Sequence, residues 1–401
     1  MLRRIAVVGA SLAGWHAATT LRREGFDGEL TVIGAEAEPP YDRPPLSKAF
    51  LATGDESKVV LAGVADRETL GITWRLGRRA TALRLADRTV DLDDGSEVAF
   101  DGLVLAGGAD VRTLPSLPVG DGVHALRTLA DARALRTDLD RRPGPVLVVG
   151  AGFIGAEVAA TCRQSGRDVV LVEAAAVPLE RAVGAEIGAV CAALHREHGV
   201  DLRLGTAVVG RAGPGAVALD DGTTVDAAVV VVGVGVSPAT GWLEGSGLAI
   251  ADGVVCDGTG LAAPGVVAAG DIARWPNALF FGDSMRVEHW DNAIDMGAFV
   301  ARRLLAGEDW DPAEVFAPVP WFWSDQYDRK LQMAGRATGA DQMHIAGGTL
   351  EEHRFVALYG RAGRLVAAFG MNRPRHIVQS RGLIARGCPW DEARELAATW
   401  I

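Results

Sequence analysis

A three-part α/β architecture follows from three features of the sequence. Two glycine turns, Gly9-Ala-Ser-Leu-Ala-Gly14 and Gly150-Ala-Gly-Phe-Ile-Gly155, each follow an apolar strand-like run and open into an alanine-rich helical stretch. A strand, a tight turn and a helix N-terminus in this order form the phosphate-binding unit of a Rossmann-like domain. After about residue 317 the pattern changes to alternating apolar stretches, which are typical of antiparallel strands. The predicted fold is therefore α/β, with two Rossmann-like dinucleotide-binding domains, one inserted in the other, and a C-terminal α+β domain.

Composition limits the classes of function. A chain of 401 residues with 49% hydrophobic residues is long enough for two or three domains, and its net charge of −11 argues against nonspecific nucleic-acid binding. The four cysteines have no C-x-x-C spacing and no paired histidines, which predicts no metal site and fits a reducing cytoplasm. No apolar run approaches the roughly 20 residues that cross a bilayer. The apolar stretch after Arg4 is interpreted as the first strand of a nucleotide fold and not as a signal peptide.

The first nucleotide unit begins near residue 5. Its predicted elements, in order, are a strand at 5–8, the turn at 9–14, a helix to about Arg23, a strand at 30–33 and a hydrophobic run at 104–108 that ends in glycines. The second unit repeats this order with a strand at 146–149, the turn at 150–155, a helix to about Ser165, a strand at 169–172 and an apolar strand at 229–235. The repetition indicates an internal duplication of a Rossmann-like half.

The first unit is predicted to resume after the inserted second one. An apolar strand ends at Gly270-Asp271 and a helical run lies near 292–305. The C-terminal part is predicted as strands at 355–359 and 365–369, a turn at 360–363 and a final helix at 391–400. The expected domains are an FAD-binding domain of residues 1–113 and 236–316, an NADH-binding domain of residues 114–235 and a C-terminal domain of residues 317–401.

An acid follows each glycine turn by about 20 residues, Glu36 after the first and Glu173 after the second. A carboxylate at the end of the second strand accepts hydrogen bonds from ribose hydroxyls and repels a 2′-phosphate. Glu173 directly follows Val172 and therefore favours NADH over NADPH, with a plain surface glutamate as the alternative interpretation. Glu36 lies one or two residues later than the ideal position.

Five longer motifs resemble one known family. They are Tyr41-Asp-Arg-Pro-Pro-Leu-Ser-Lys48, Gly150-Ala-Gly-Phe-Ile-Gly-Ala-Glu157, Ala269-Gly-Asp271, Arg286-Val-Glu-His-Trp-Asp-Asn-Ala293 and Trp321-Phe-Trp-Ser-Asp-Gln326. These motifs resemble the NADH-dependent ferredoxin reductases of the putidaredoxin-reductase type, which serve cytochromes P450 and aromatic-ring dioxygenases. The resemblance implies FAD in the first nucleotide unit, NADH in the second, and a C-terminal domain that completes the flavin pocket.

The resemblance also implies roles for single residues. Asp271 would bind a ribityl hydroxyl of FAD, and an N-cap of the following helix is a compatible alternative. Lys48, one of three lysines, would lie beside the isoalloxazine ring after the stiff Pro44-Pro45 turn, with a solvated surface lysine as the alternative. Glu157, expected in the first turn of the second helix, would face Lys48 and the nicotinamide. Otherwise it is a favourable helix N-terminal acid.

Arginine and aromatic residues complete what the resemblance implies. Arg43 and Arg127 would contact FAD, with a domain-interface salt bridge as the alternative for Arg127. Trp321 and Trp323 alternate with Phe322, so both indoles should point to one side of an extended segment. The residues assigned near the flavin are Trp323, Gln326 and, as a further candidate, Trp290.

Ser11 replaces the middle glycine of the first turn. Glycine there normally lets the backbone approach the pyrophosphate, so we expect a weaker or shifted contact. The predicted catalytic residues are Lys48, Glu157 and Trp323, and no metal ligand is predicted. The predicted cofactor-binding residues are Gly9, Ser11, Leu12, Ala13, Gly14, Glu36, Arg43, Pro44, Lys48, Arg127, Gly150, Gly152, Phe153, Ile154, Gly155, Glu157, Glu173, Gly235, Gly270, Asp271, Trp290, Trp323 and Gln326.

No cysteine precedes Cys162, which removes the thiol that disulfide reductases and NADH peroxidases of this architecture need beside the flavin. The expected reaction is hydride transfer from NADH to FAD, followed by one-electron transfer to a [2Fe–2S] ferredoxin that serves a P450 or a dioxygenase. A net charge of +3 in residues 317–401 could steer an acidic carrier, and an ordinary solvated surface is an equal alternative. Three other functions stay open: a reductase of another carrier such as rubredoxin, an NADH oxidase, and a nonenzymatic flavoprotein switched by bound NADH.

Overall fold

The computed structural model describes residues 2–400. Met1 and Ile401, which bound the first and last predicted domains, lie outside the described residues. The chain divides into two compact units, and the predicted boundaries of three domains stay a prediction. The first unit contains the N-terminal residues to Asp42, Val60–Asp110 and Ser237–Pro320. The second unit contains Arg43–Val59, Val111–Val236 and the chain from Trp321 onward.

A six-stranded sheet forms the core of the first unit. In spatial order its strands are Leu261–Ala263, Val266–Ala268, Gly102–Leu105, Arg4–Val8, Glu29–Gly34 and Ile72–Leu76. All neighbours are parallel except the first two strands. Gly102–Leu105 is buried along its whole length, as expected for apolar strands that are covered on both faces of a parallel sheet.

Two long helices pack together in the first unit, Leu12–Arg23 and Trp290–Ala306. Gly297 permits this close crossing, because a Cβ at this position would lie 2.4 Å from the carbonyl oxygen of Ala13. The remaining strands form two small sheets: Ala80–Arg84, Thr89–Leu92 and Glu97–Ala99, and Val254–Val255, Ala273–Asn277 and Asp283–Met285. Short 3₁₀ helices lie at Val64–Leu70, Gly241–Leu243, Gly270–Ile272, Ala278–Phe280 and Gly307–Asp309.

The second unit has a five-stranded parallel sheet. In spatial order its strands are Asp201–Leu204, Val169–Glu173, Val146–Val149, Val229–Val232 and Val123–Ala125. Its helices are Leu129–Arg141, Phe153–Gln164 and Glu180–Glu197. A small antiparallel sheet accompanies them, with strands Val208–Gly213, Ala216–Leu219 and Thr224–Asp226. The repeated strand–turn–helix order predicted from the sequence is thus confirmed.

The segment Arg43–Val59 belongs to the second unit although it lies early in the sequence. It contains the 3₁₀ helix Pro44–Ser47, the α-helix Ala49–Thr53 and the 3₁₀ helix Glu56–Val59. Leu51 is buried in the same apolar cluster as Val148 and Val158, so hydrophobic packing holds the segment to the sheet of this unit.

Residues from Trp321 onward form a five-stranded antiparallel sheet and two helices. The strands, in spatial order, are Trp321–Gln326, Arg329–Gly335, Arg364–Met371, Arg354–Arg361 and Gln342–Thr349. The helices are Pro374–Ala385 and Trp390–Ala397. The predicted hairpin is confirmed, and the final helix ends three residues before the predicted limit.

The chain passes from one unit to the other within two short strands, Ala109–Val111 and Val236–Pro238. Within residues 2–400, no helix is both long enough and apolar enough to span a membrane.

Candidate functional site

The two glycine turns have the same crowded geometry. A Cβ at Gly14 would lie 1.7 Å from the carbonyl oxygen of Gly9, and a Cβ at Gly155 would lie 1.9 Å from that of Gly150. These distances exclude any side chain, so glycine at the last position lets each helix begin directly against its turn.

The middle position of each turn is different, because it requires no unusual backbone. Gly152 is the N-cap of helix Phe153–Gln164, and within residues 2–400 no atom beyond its immediate chain neighbours lies within 4 Å of the position of a Cβ. Ser11 is the N-cap of helix Leu12–Arg23 with φ −94°, a value that serine adopts without strain. The open space at Gly152 borders the N–H groups of a helix N-terminus, and this arrangement fits the pyrophosphate of a dinucleotide.

The two acids that follow the turns have different surroundings. Glu173 is the last residue of its strand, and its carboxylate accepts hydrogen bonds from the backbone N–H groups of Ala151, at 2.7 Å, and Ala175, at 2.9 Å. Glu36 lies two residues beyond the strand that ends at Gly34, and it accepts a hydrogen bond from the Tyr41 hydroxyl. The later position of Glu36, noted in the sequence, is therefore present in the fold.

A buried carboxylate, Glu157, connects three parts of the second unit. Its Oε1 atom accepts hydrogen bonds from Lys48 Nζ and from Ser324 Oγ, each at 2.8 Å, and its Oε2 atom accepts one from Ser47 Oγ at 2.5 Å. Glu157 is 2% exposed, whereas the Lys48 side chain is 18% exposed. We call these four residues the Glu157 cluster. An ion pair with hydroxyl donors on both carboxylate oxygens satisfies a buried charge.

The structure corrects one detail of this prediction and adds residues to it. Helix Phe153–Gln164 begins at Phe153 and has no acid in its first turn, so Glu157 lies in the second turn and is not a simple helix N-terminal acid. Sequence reasoning missed Ser47 and Ser324. The available signal was strand periodicity, since Ser324 lies on the same face of its strand as Phe322 and Gln326, and Phe322 packs edge-on against Phe153 of the helix that carries Glu157.

Trp323 and Gln326 lie on opposite faces of their strand. Trp323 stacks with Trp321 at a ring distance of 5.3 Å, which confirms that the two indoles share one side. Gln326 is fully buried, and its Nε2 donates to Ser324 Oγ at 3.2 Å. The alternation places Gln326 behind the Glu157 cluster and Trp323 on the other side of the sheet.

The arginines predicted to contact FAD border the segment that carries Lys48. Arg43 is the N-cap of the 3₁₀ helix that starts at Pro44, and its guanidinium donates to the carbonyl oxygen of Arg127 at 2.7 Å. Arg127 precedes Thr128, which with Asp131 forms a capping box for helix Leu129–Arg141. The prolines therefore lead into Lys48 through a short helical turn, as the stiff turn in the sequence predicted.

The remaining predicted contacts are distributed over both units. In the first unit, Leu12 and Ala13 open the first helix, and Gly270 and Asp271 lie in a 3₁₀ turn after strand Val266–Ala268. Trp290 opens its helix and donates from Nε1 to Asp42 at 2.8 Å. In the second unit, Ile154 is 48% exposed at its helix N-terminus, and Gly235 follows strand Val229–Val232 with φ +99°.

The part of the chain that the structure describes contains neither a reactive thiol nor a group of side chains placed to bind a metal ion. All four cysteines are buried, and burial raises the pKa of the Cys162, Cys191 and Cys256 thiols to about 12. None of them therefore forms a reactive thiolate near neutral pH. Residues 2–400 contain no group of three His, Cys, Asp or Glu side chains placed to hold a metal ion.

Comparison with known proteins identifies the family. Residues 3–297 match the pyridine nucleotide-disulphide oxidoreductase family, and residues 321–399 match the reductase C-terminal family. The chain belongs to the pyridine nucleotide-disulphide oxidoreductase family. The fold class predicted from the sequence is confirmed by this match and by the solved structures below.

Relatives of this oxidoreductase align along nearly the whole chain. The ferredoxin–NAD(+) reductase component of an anthranilate 1,2-dioxygenase system from Burkholderia cepacia is 40% identical over 389 residues, which cover 95% of this chain and 94% of that protein. Putidaredoxin reductase from Pseudomonas putida is 34% identical over 399 residues and covers 96% of this chain and 92% of that protein. A solved structure of putidaredoxin reductase covalently linked to putidaredoxin superposes with a TM-score of 0.91 at 32% identity, covering 98% and 95% of the two chains.

A likeness at lower identity concerns the fold alone. An NAD-dependent persulfide reductase from A. fulgidus superposes with a TM-score of 0.87 at 21% identity and covers 99% of this chain and 80% of that chain. The same architecture therefore carries other chemistry, and the fold alone does not decide the function of this chain.

Proposed function

We propose that this oxidoreductase is an FAD-dependent NADH:ferredoxin reductase that passes electrons to a [2Fe–2S] ferredoxin, which in turn serves a P450 or a ring-hydroxylating dioxygenase. The observation that carries the proposal is the similarity to ferredoxin–NAD(+) reductase components, which extends over both glycine turns and the C-terminal domain. The buried cysteines support it, because electrons without an accessible thiol have to pass to an external acceptor, either a carrier or oxygen.

In this proposal FAD occupies the domain of residues 1–113 and 236–316, and NADH occupies the domain of residues 114–235. Bound FAD would supply the acceptor for the hydride of NADH and the centre from which the electrons leave one at a time. The turn from Gly9 to Gly14 and the acid Glu36 would hold the dinucleotide of FAD. The open turn at Gly152 would hold the pyrophosphate of NADH, and the Glu173 carboxylate would accept from its adenosine ribose.

Lys48, Glu157 and Trp323 are the proposed catalytic residues. Glu157 holds the Lys48 ammonium at a fixed place through the 2.8 Å ion pair, and burial of the carboxylate keeps water from competing with this contact. A positioned ammonium stabilises negative charge that develops on a neighbouring ring system, without any reorganisation during the reaction. The protein needs no acid–base pair for the hydride step, since its task is to orient the two rings.

The partner of this chain is proposed from charge as well as from the relatives. The region from 317 to 401 carries a net charge of +3 in a chain whose total is −11. Such a region attracts an acidic iron–sulfur protein and accelerates its association at low ionic strength. We place the reaction in the cytoplasm, where the four unpaired cysteines stay reduced.

The proposal is tested by steady-state NADH oxidation with cytochrome c as the terminal acceptor, measured with and without a [2Fe–2S] ferredoxin. We expect the ferredoxin to accelerate cytochrome c reduction strongly, with NADPH as the control coenzyme that supports little turnover. No acceleration by the ferredoxin would reject the proposal. Rapid peroxide formation without a carrier would indicate an NADH oxidase, acceleration by rubredoxin alone would indicate a different carrier, and tight NADH binding with negligible turnover would indicate a switch.

A further inference from the structure

A directed series of hydrogen bonds leads from the antiparallel sheet that starts at Trp321 into the Glu157 cluster. Gln326 Nε2 donates to Ser324 Oγ, and Ser324 Oγ donates to Glu157 Oε1. A serine hydroxyl has one proton to donate. Because the amide of Gln326 donates to the Ser324 oxygen, the single proton of Ser324 is committed to the carboxylate.

Because it is buried, the hydrogen bond from Ser324 to Glu157 cannot be replaced by one from water. Ser324 and Gln326 are fully buried, and Glu157 is 2% exposed, so water does not replace a lost donor. A buried carboxylate that loses a hydroxyl donor forfeits a charge-assisted hydrogen bond, and its orientation is then held less firmly. The remaining donors of Glu157 are Ser47 on Oε2 and Lys48 on Oε1.

A second contact fixes the other side of the cluster. Thr161 lies one helical turn beyond Glu157, and its Oγ1 donates to the carbonyl oxygen of Ser47 at 2.8 Å. Helix Phe153–Gln164 therefore holds the backbone before Lys48 independently of Ser324. The contribution of the C-terminal antiparallel sheet is the hydrogen bond from Ser324 to the Glu157 carboxylate. Through that carboxylate it affects the orientation of the Lys48 ammonium.

We propose that Ser324, with Gln326 behind it, is a positioning residue that holds the Glu157 carboxylate against Lys48. The C-terminal sheet thereby sets where the Lys48 ammonium points, in addition to any surface that it offers to a partner. The inference rests on the proposed function only for the consequence that Lys48 orientation matters to hydride transfer. The positioning itself is a property of the chain and is measurable without a carrier.

The low number of lysines allows a direct measurement of this positioning. The chain has three lysines, Lys48, Lys58 and Lys330. The side chains of Lys58 and Lys330 are 50% and 49% exposed, so they serve as internal references for the 18% exposed Lys48. The FAD-loaded protein is labelled with a trace of acetic anhydride, without NADH or ferredoxin, and the rate at each lysine is read by peptide mass spectrometry.

In the Ser324→Ala variant we expect the labelling rate of Lys48, relative to Lys58, to rise by about 5- to 10-fold, since a carboxylate with one donor fewer holds the ammonium less firmly. Gln326→Met, which leaves the hydroxyl in place, should raise it by a smaller factor. The matched control is Ser380→Ala. Ser380 is also a fully buried serine, but its hydroxyl donates to the carbonyl oxygen of His376 within its own helix. An unchanged Lys48 to Lys58 ratio in Ser324→Ala, or an equal rise in Ser380→Ala, would overturn the proposal.

A kinetic split gives the second readout. We expect Ser324→Ala to slow the reduction of the flavin by NADH about 10-fold at saturation, with an unchanged half-saturating NADH concentration, as expected for a positioning effect of about 1.4 kcal/mol. Ser324→Thr, which keeps the hydroxyl, should recover most of the rate. A normal limiting rate in Ser324→Ala would overturn the part of the proposal that links the orientation of Lys48 to hydride transfer. Failure of ferredoxin to accelerate the wild-type protein would overturn the proposed function while leaving the labelling result intact.

Discussion

Replacing Glu173 by alanine should remove most of the preference for NADH over NADPH. The carboxylate is fixed at the open end of the second turn by the N–H groups of Ala151 and Ala175, so it is oriented before the coenzyme arrives. A hydrogen bond between a ribose hydroxyl and a charged group contributes about 1.5–3 kcal/mol, and its loss should weaken NADH binding by about 10-fold or more.

The same substitution removes a repulsion that acts only on NADPH. Glu173 is half-buried, and between its charge and a 2′-phosphate about 4 Å away the repulsion lies between about 1 kcal/mol in bulk water and about 4 kcal/mol near a protein surface. The two effects combine to a fall of about 100-fold in the ratio of kcat/KM for NADH to that for NADPH. The three residues that follow Glu173 are alanines, so the variant gains no cation for the phosphate and should be weakly selective instead of reversed.

The assay is the initial rate of ferricyanide reduction with each coenzyme, for the wild type, Glu173→Ala and Glu173→Gln. Glutamine keeps the size of the side chain but has one acceptor oxygen for two N–H donors, so it should fall between the other two. Retained discrimination of the alanine variant against NADPH would refute the reasoning and show that another residue selects the coenzyme.

Three other perturbations have definite expected outcomes. Gly152→Val should leave the unfolding midpoint in urea nearly unchanged, because in the described chain only the neighbouring residues lie within 4 Å of the new Cβ. It should nevertheless weaken NADH binding in a fluorescence titration, and a normal NADH affinity would contradict the assignment of this space to phosphate. Burial lowers the pKa of His195 to about 4. The neutral imidazole is therefore favoured in the folded state. The stability that it contributes is fully present above the unfolded pKa of about 6.5, and the free energy of unfolding should fall by about 2 kcal/mol between pH 7 and pH 5. His195→Gln should lose this part of the pH dependence in urea unfolding, and an unaltered slope would exclude the imidazole as its source. Treatment with N-ethylmaleimide at pH 7 should leave turnover unchanged, because all four cysteines are buried. Inactivation that NADH prevents would indicate that a cysteine thiol takes part in the reaction.

The parts of the fold that the sequence predicted well are those in which local chemistry and global packing agree. The turns ending at Gly14 and Gly155 are recognisable because glycine is required wherever a Cβ would lie within 2 Å of a carbonyl oxygen. The strands beside them are continuous apolar runs, and the two strands of the hairpin at 354–371 are also rich in apolar residues and buried over nearly their whole length.

The elements that the prediction omitted carry weaker local signals. Helix Glu180–Glu197 contains Gly184 at φ +80°, which interrupts the helical pattern and kinks the segment. The small sheets at 80–99 and 208–226 consist of short strands with mixed exposure, and such strands are hard to separate from loops by periodicity alone. The placement of Arg43–Val59 in the second unit depends on packing of Leu51 against residues about 100 positions away, which no local pattern encodes.

The Glu157 cluster shows the same limit within the site. Lys48 and Glu157 were predicted as partners through a resemblance, whereas Ser47 and Ser324 were missed. Their hydroxyls reach Glu157 across 110 and 167 residues of sequence. A serine is common in every type of structure, so only the three-dimensional arrangement distinguishes these two from the other serines of the chain.

The central claim is that two electrons from NADH leave the protein one at a time on an iron–sulfur carrier. The most direct measurement is a single-turnover experiment in which one equivalent of NADH is mixed anaerobically with the FAD-loaded protein and an excess of oxidised [2Fe–2S] ferredoxin. The account predicts that two ferredoxin molecules are reduced for each NADH consumed, read from the EPR signal of the reduced cluster. NADH consumption without reduced ferredoxin would contradict it.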